Sequence, residues 1–249
     1  MRVALCLYGL IGSAKGKAYY KKGVTYIVLE DCYNSFSKHI LSKNDVDVFF
    51  HTWDTDFEDE LVLKYNPKKY KVEPQKIFND TIKGPEKRIQ AHYSRWYSTK
   101  VVNELKSNYE KENNFEYDLV MISRFDMIWH TDVIFNDLDK NIFYIPGTTL
   151  GNKKWGWPHV ECGLPHEIAD LWFISNSINI DNFSKLYDLI NQYIIKEKCP
   201  VWKHISNHML AFYHLKKIEL IPEFTKTLFN RGFPDKNPDF QVYREYKNN

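Results

Sequence analysis

Arg124 and Asp126 stand one residue apart in the stretch YDLVMISRFDMIWH, residues 117–130. The apolar run 119–122 before them reads as a buried strand, so both charges are carried to the mouth of a core element. Alternate side chains of an extended segment share a face, which turns Arg124 and Asp126 one way and Phe125 the other. A guanidinium holds phosphate through a planar fork of donors. A carboxylate ligates Mg2+ or Mn2+, or accepts from sugar hydroxyls. Together they suit a ligand that carries a phosphate and either hydroxyls or a metal. A local ion pair closing a strand end accounts for the two residues equally well, since so short a motif proves little.

The elements that must position them follow from the apolar pattern. Residues 3–8 form an apolar run ending at Gly9, with Gly12 and Gly16 close behind: a strand, then a lysine-bearing loop over 9–23. A weakly helical segment covers 25–41, and a second strand at 46–50 ends in HTWD. Residues 55–83 are polar and proline-punctuated, with one short strand at most. After Pro85, apolar residues from Ile89 through Tyr93, Trp96, Tyr97, Val101 and Leu105 to Tyr109 recur at steps of three and four, the clearest helix of the chain. Further strands are expected at 142–145, 170–175 and 217–221. Between the last two, helices run through Phe183, Leu186, Ile190 and Ile194, and through Trp202, Ile205, Met209 and Phe212. Residues 223–249 read as a polar tail.

Strands alternating with helices predict a single-domain α/β fold, a mainly parallel sheet flanked by helices. The near-continuous apolar runs fit strands buried on both faces. Ligands of such sheets bind beyond the carboxyl ends of the strands. That rule sets Tyr8 with Gly9, His51 to Asp54, and Arg124 with Asp126 along one rim.

Composition narrows the class. A formal charge of +2, from 34 basic and 32 acidic residues, argues against a nucleic-acid partner held by a strong global field. The four cysteines show no ligand spacing, which favours a reducing, cytoplasmic setting. The N-terminus reads without a signal peptide, and nowhere does a run of about 18 apolar residues suggest a membrane span. With 7 Trp, 17 Tyr and 16 Phe, some aromatic rings can line a wet cleft while most fill the core.

With HTWD, the helix SRWYSTKVVNELK and YDLVMISRFDMIW in this order, residues 1–130 resemble glycosyltransferase-like proteins of the GT-A type from bacterial and large-virus surface-polysaccharide gene sets. The resemblance implies a nucleotide-sugar-binding half at 1–130 and an acceptor half at 131–222. It also implies Mn2+ or Mg2+ held by an Asp-x-Asp motif at a strand end. Asp126 matches the last Asp of that motif, and Arg124 stands at its first position, where a cation replaces a metal ligand. Arg124 would then stabilise the leaving diphosphate. Tyr8 and Gly9 would meet the nucleotide, Lys15 and Lys17 would reach the diphosphate, and His51 with Asp54 would touch the nucleotide or brace the rim. His92 and Arg95 face either the cleft or solvent.

The implied activity is transfer of a sugar from a nucleotide-diphosphate donor to a hydroxyl of a glycan acceptor, which needs a base. HVECGLPHEIADLWF offers Glu161, Glu167 and Asp170. Asp170 is the first choice, because burial beside an apolar strand would raise its pKa. Trp155 and Trp157 could stack on a sugar. His204 and His208, one helical turn apart, could share a metal, although HExxH is absent. A nucleotidyltransferase, a nucleotide-sugar hydrolase and a non-catalytic carbohydrate-binding protein remain as alternatives; GLIGSAKG lacks the GxGxxG of a dinucleotide enzyme.

Overall fold

The apolar run at the N-terminus becomes β1 (Val3–Gly9), an interior strand of the central sheet in a computed structural model of the chain. The structure describes residues 1–11, 22–78, 86–147, 168–197, 206–221, 224–230 and 238–243. The other main strands are β2 (Val46–Thr52), β3 (Lys69–Val72), β4 (Leu119–Arg124), β6 (Phe143–Gly147), β7 (Trp172–Ser175) and β8 (Thr225–Asn230). Their order is β3-β2-β1-β4-β7-β6-β8. The first four are mutually parallel, β7 runs antiparallel to both β4 and β6, and β8 is parallel to β6. The mostly parallel α/β architecture expected from the sequence is therefore present as a single domain. The reversal at β7 was not foreseen, because a four-residue apolar run does not reveal its direction.

Both faces of the sheet are buried, as continuous apolar strands require. Val3, Leu5 and Leu7 pack with α1 (Lys22–His39), α2 (Glu58–Tyr65) and a small ribbon of β5 (Met127–Trp129) and β9 (Phe240–Val242). Ala4, Cys6 and Tyr8 face the other side. There lie α3 (Glu86–Asn113), α4 (Ser177–Ser184), α5 (Leu186–Asn191) and α6 (Asn207–Lys217). β4 alternates in the same sense, Val120 and Ile122 facing α3, and Arg124 continues that face at the strand's end.

The inward side of α3 is more polar than its apolar stripe suggests. Lys106 is fully buried and donates to Glu110 Oε2 at 2.9 Å, Ser177 Oγ at 2.5 Å and Asp181 Oδ1 at 2.8 Å. Its three donors thus meet three acceptors, which clamps α3 to α4. Glu110 also accepts from the Tyr117 amide at 2.8 Å and so fixes the entry to β4.

Several expectations are corrected. The polar segment after residue 55 contains α2, a helix of eight residues, as well as β3. Residues 217–221 are the end of α6 and a turn, because Leu220 folds back with its amide on Leu215 O. The helix expected through Phe183 to Ile194 breaks at Lys185 into α4 and α5, with a π turn over Gln192–Lys196. Trp202 and Ile205 lie outside the described residues. The tail at 223–249 carries two strands, β8 and β9. Three residues of strand are too short for periodicity to show, yet Phe240 and Val242 are fully buried, the Phe240 ring against Trp129 and Trp172.

Removing the Phe240 ring should therefore act as a core deletion. Phe240→Ala is expected to lower unfolding free energy by about 3–5 kcal/mol in urea melts, whereas a detached tail would show no change.

Candidate functional site

The strand order reverses between β1 and β4, since β1 leads outward to β2 on one side and β4 lies on the other. A crevice at such a switch point is where α/β sheets bind ligands. Tyr8 and Arg124 are register partners across it. Gly9 turns the chain away with φ +93°, a conformation side chains resist, and a Cβ added there would point into open space. Asp54, at the end of β2, accepts from the Ile11 amide at 2.6 Å and pins the start of the following loop.

Arg124 and Asp126 bind each other. Nε donates to Oδ1 at 2.7 Å and Nη2 to Oδ2 at 2.5 Å, a bidentate pair. Two neighbours fix its backbone: the Arg124 amide donates to Leu171 O at 3.2 Å, and the Tyr243 amide, just past β9, donates to Asp126 O at 2.9 Å. The C-terminal ribbon therefore holds the site carboxylate in place.

Asp170 sits opposite, just before β7. Arg95 Nε donates to its Oδ2 at 3.2 Å, and Arg95 Nη2 donates to its carbonyl at the same distance. Tyr8 also donates its hydroxyl to that carbonyl, at 3.1 Å. The Arg95 guanidinium lies on the rings of Trp96 and Tyr8, 3.5 and 4.9 Å from their centroids. His208, in the first turn of α6, places Nδ1 2.8 Å from Ile168 O and 3.3 Å from Asp170 Oδ1. The α6 terminus is anchored in turn: Trp96 Nε1 donates to Asn207 Oδ1 at 2.9 Å, and the Ser206 side chain caps the Met209 amide.

Two guanidiniums, two carboxylates and an imidazole thus share one rim. Burial alone would raise the Asp170 pKa, but His208, Arg95 and Arg124 outweigh it and hold the carboxyl below its usual value. This reverses the expectation of a raised pKa, because that expectation counted desolvation and not the cations. Burial likewise opposes the charge on Arg124, and Asp126 overrides it, so Arg124 stays charged. Tyr8, pushed up to about 12 by burial, is floor rather than contact surface. The groups that reach solvent are Arg124, with 26% of its side chain exposed, and His208, with 35%.

His51 does not line the crevice. Its side chain is 0% exposed, Nε2 meets Glu73 Oε1 at 3.1 Å, and Nδ1 is bonded to Ser98 Oγ on α3. Both nitrogens are spent bracing β2 against α3, so the nucleotide contact expected of it is replaced by a structural role. Asp126, the expected metal ligand, has both oxygens on Arg124. Among the described residues no group of three or more His, Cys, Asp or Glu side chains could hold a metal ion. A single carboxylate bound to a guanidinium does not fit a closed protein metal site. A divalent ion at Asp126 would need one Arg124 bond to open and phosphate and water to complete its shell. Lys15, Lys17, Trp155, Trp157, Glu161, Glu167 and His204 lie outside the described residues.

Arg95 and His208 are the members of the rim that sequence reasoning underweighted. Arg95 follows Tyr93 on α3 and precedes Trp96, so its place at the edge of the buried stripe was the available signal. No known protein family and no curated protein matches the chain. No helix among the described residues is long and apolar enough to cross a membrane.

Burial lowers the His51 pKa from 6.5 to about 4, despite the hydrogen bond to Glu73. Between those values the unfolded chain binds a proton that the folded chain does not, so stability is full above pH 6.5 and falls as pH drops toward 4. Wild type should therefore lose about 3 kcal/mol of its advantage over His51→Gln between pH 7 and 4, read from urea midpoints at each pH. An advantage that stays constant over that window would contradict a buried neutral His51.

Proposed function

We propose that the chain is a glycosyltransferase of GT-A type that transfers a sugar from a nucleotide-diphosphate sugar to a hydroxyl of a glycan acceptor. The observation that carries this reading is the solvent-reaching Arg124 at the β1/β4 switch point, beside the open backbone of Gly9. A strand-end crevice with a fixed cation and close backbone approach suits a diphosphate. Asp126 holds the guanidinium in a set orientation, so its positive charge is in place before negative charge develops on the leaving diphosphate. When Mn2+ or Mg2+ is bound, it adds charge stabilisation on the same phosphates. The segment before β7 and the start of α6 bring Asp170 and His208 to the side where an acceptor would lie.

A carbohydrate-binding protein without catalysis is the reading favoured by the closed Arg124–Asp126 pair, which already satisfies both partners. Thermal melts with UDP-, GDP-, CMP- and dTDP-sugars, each with and without Mn2+, distinguish the two. A ligand bound at 100 times its Kd stabilises the folded chain by about 2.7 kcal/mol, so one donor should raise the melting temperature by several degrees. The rise should disappear in Arg124→Ala. A rise with free glycan and none with any nucleotide would support the binding protein instead.

A further inference from the structure

We infer that His208 is the general base of the transfer reaction and that Asp170 is its positioning residue. This assignment rests on the transferase reading and deepens it. Asp170 is poorly suited to be the base itself: Arg95 holds its side chain and its carbonyl, and the surrounding cations lower its pKa, so its carboxylate takes up a proton reluctantly. Its charge is directed instead at an imidazole. His208 Nδ1 faces two acceptors, Ile168 O at 2.8 Å and Asp170 Oδ1 at 3.3 Å, so the proton of the neutral ring resides on Nδ1.

That tautomer leaves the lone pair on Nε2. The side chain is 35% exposed, and Nε2 has no hydrogen-bond partner among the described residues. The ring is not an incidental helix residue, because Trp96, Ser206 and Ile168 fix the turn that carries it. A carboxylate behind Nδ1–H and an open Nε2 in front is the arrangement that orients a base and balances the imidazolium it becomes. In the reaction, Nε2 takes the proton of the acceptor hydroxyl as its oxygen bonds to the anomeric carbon. The bond from that carbon to the diphosphate breaks, and the electron pair leaves with the phosphate oxygen near Arg124. Proton, electron pair and leaving group are all accounted for, and the imidazolium later returns its proton to water.

The test uses the full chain labelled with 15N-histidine, with His208→Gln to assign the resonance. At a pH where the ring is neutral, long-range 1H–15N spectra should show Nδ1–H for His208 in the wild type, held by Ile168 O, and Asp170→Asn should lower the pH midpoint at which the ring becomes imidazolium. A wild-type Nε2–H tautomer, or a midpoint indifferent to Asp170→Asn, would overturn the arrangement. A second readout uses whichever nucleotide-sugar of the four raises the melting temperature, with water as the acceptor hydroxyl. His208→Gln should bind it within about twofold of wild type yet release nucleotide 100-fold or more slowly, the usual scale of a lost general base. Unchanged release would remove His208 from the chemistry. If no nucleotide-sugar binds even the wild type, the transferase reading has failed, and the tautomer measurement still decides the His208–Asp170 geometry.

Discussion

Everything at the rim depends on how two arginines are accommodated at the carboxyl edge of a buried sheet. Removing a guanidinium from water costs several kcal/mol unless a well-placed carboxylate compensates. Asp126 meets Arg124 in fork geometry, and Asp170 meets Arg95 through both side chain and carbonyl. These pairs join four elements that the chain visits at distant points: β4, α3, the segment before β7 and, through His208, α6. The edge of a parallel sheet is otherwise a row of strand ends with little to orient them. Here the electrostatics supply the order, and the aromatic faces of Tyr8 and Trp96 supply the surface on which Arg95 lies.

The two pairs also divide the work. Arg124 keeps part of its side chain in solvent while Asp126 is nearly covered, so the carboxylate serves the cation and not the reverse. On the other side Asp170 is covered and His208 is reachable. Under the proposed transferase reading, the cation on one flank would meet a phosphate leaving group and the imidazole on the other would meet a hydroxyl. In that reading, Arg124 and its bond to Asp126 would supply a fixed protein charge where a second carboxylate could have ligated a metal.

How much of this could be read from the sequence varied with the physical signal involved. Apolar runs buried on both faces revealed β1, β2 and β4, and the strand-end rule then put Arg124 and Asp126 at the site. Asp170 was found for its position before β7, but the direction of its pKa depended on Arg95 and His208, which only folding brings near. Lys106 was invisible as an inward residue because a helical stripe is read from its apolar members, and the same stripe left Arg95 undecided between cleft and solvent. β9 was missed because FQV has no period to detect, although its pairing with β5 places the Tyr243 amide on Asp126 O. For His51 the sequence left nucleotide contact and bracing open, and its burial, which a strand-end position alone does not reveal, decides for bracing.

Amide hydrogen exchange of the full chain with and without UDP, GDP, CMP and dTDP, each with Mn2+, tests the proposal that the β1/β4 crevice binds a nucleotide. One nucleotide should slow exchange at residues 8–11, 123–126 and 168–171, the three strand-end segments that share no sequence proximity. Protection confined to other elements, or none with any nucleotide at millimolar concentration, would contradict the account and reduce Arg124 with Asp126 to an ion pair that closes a strand.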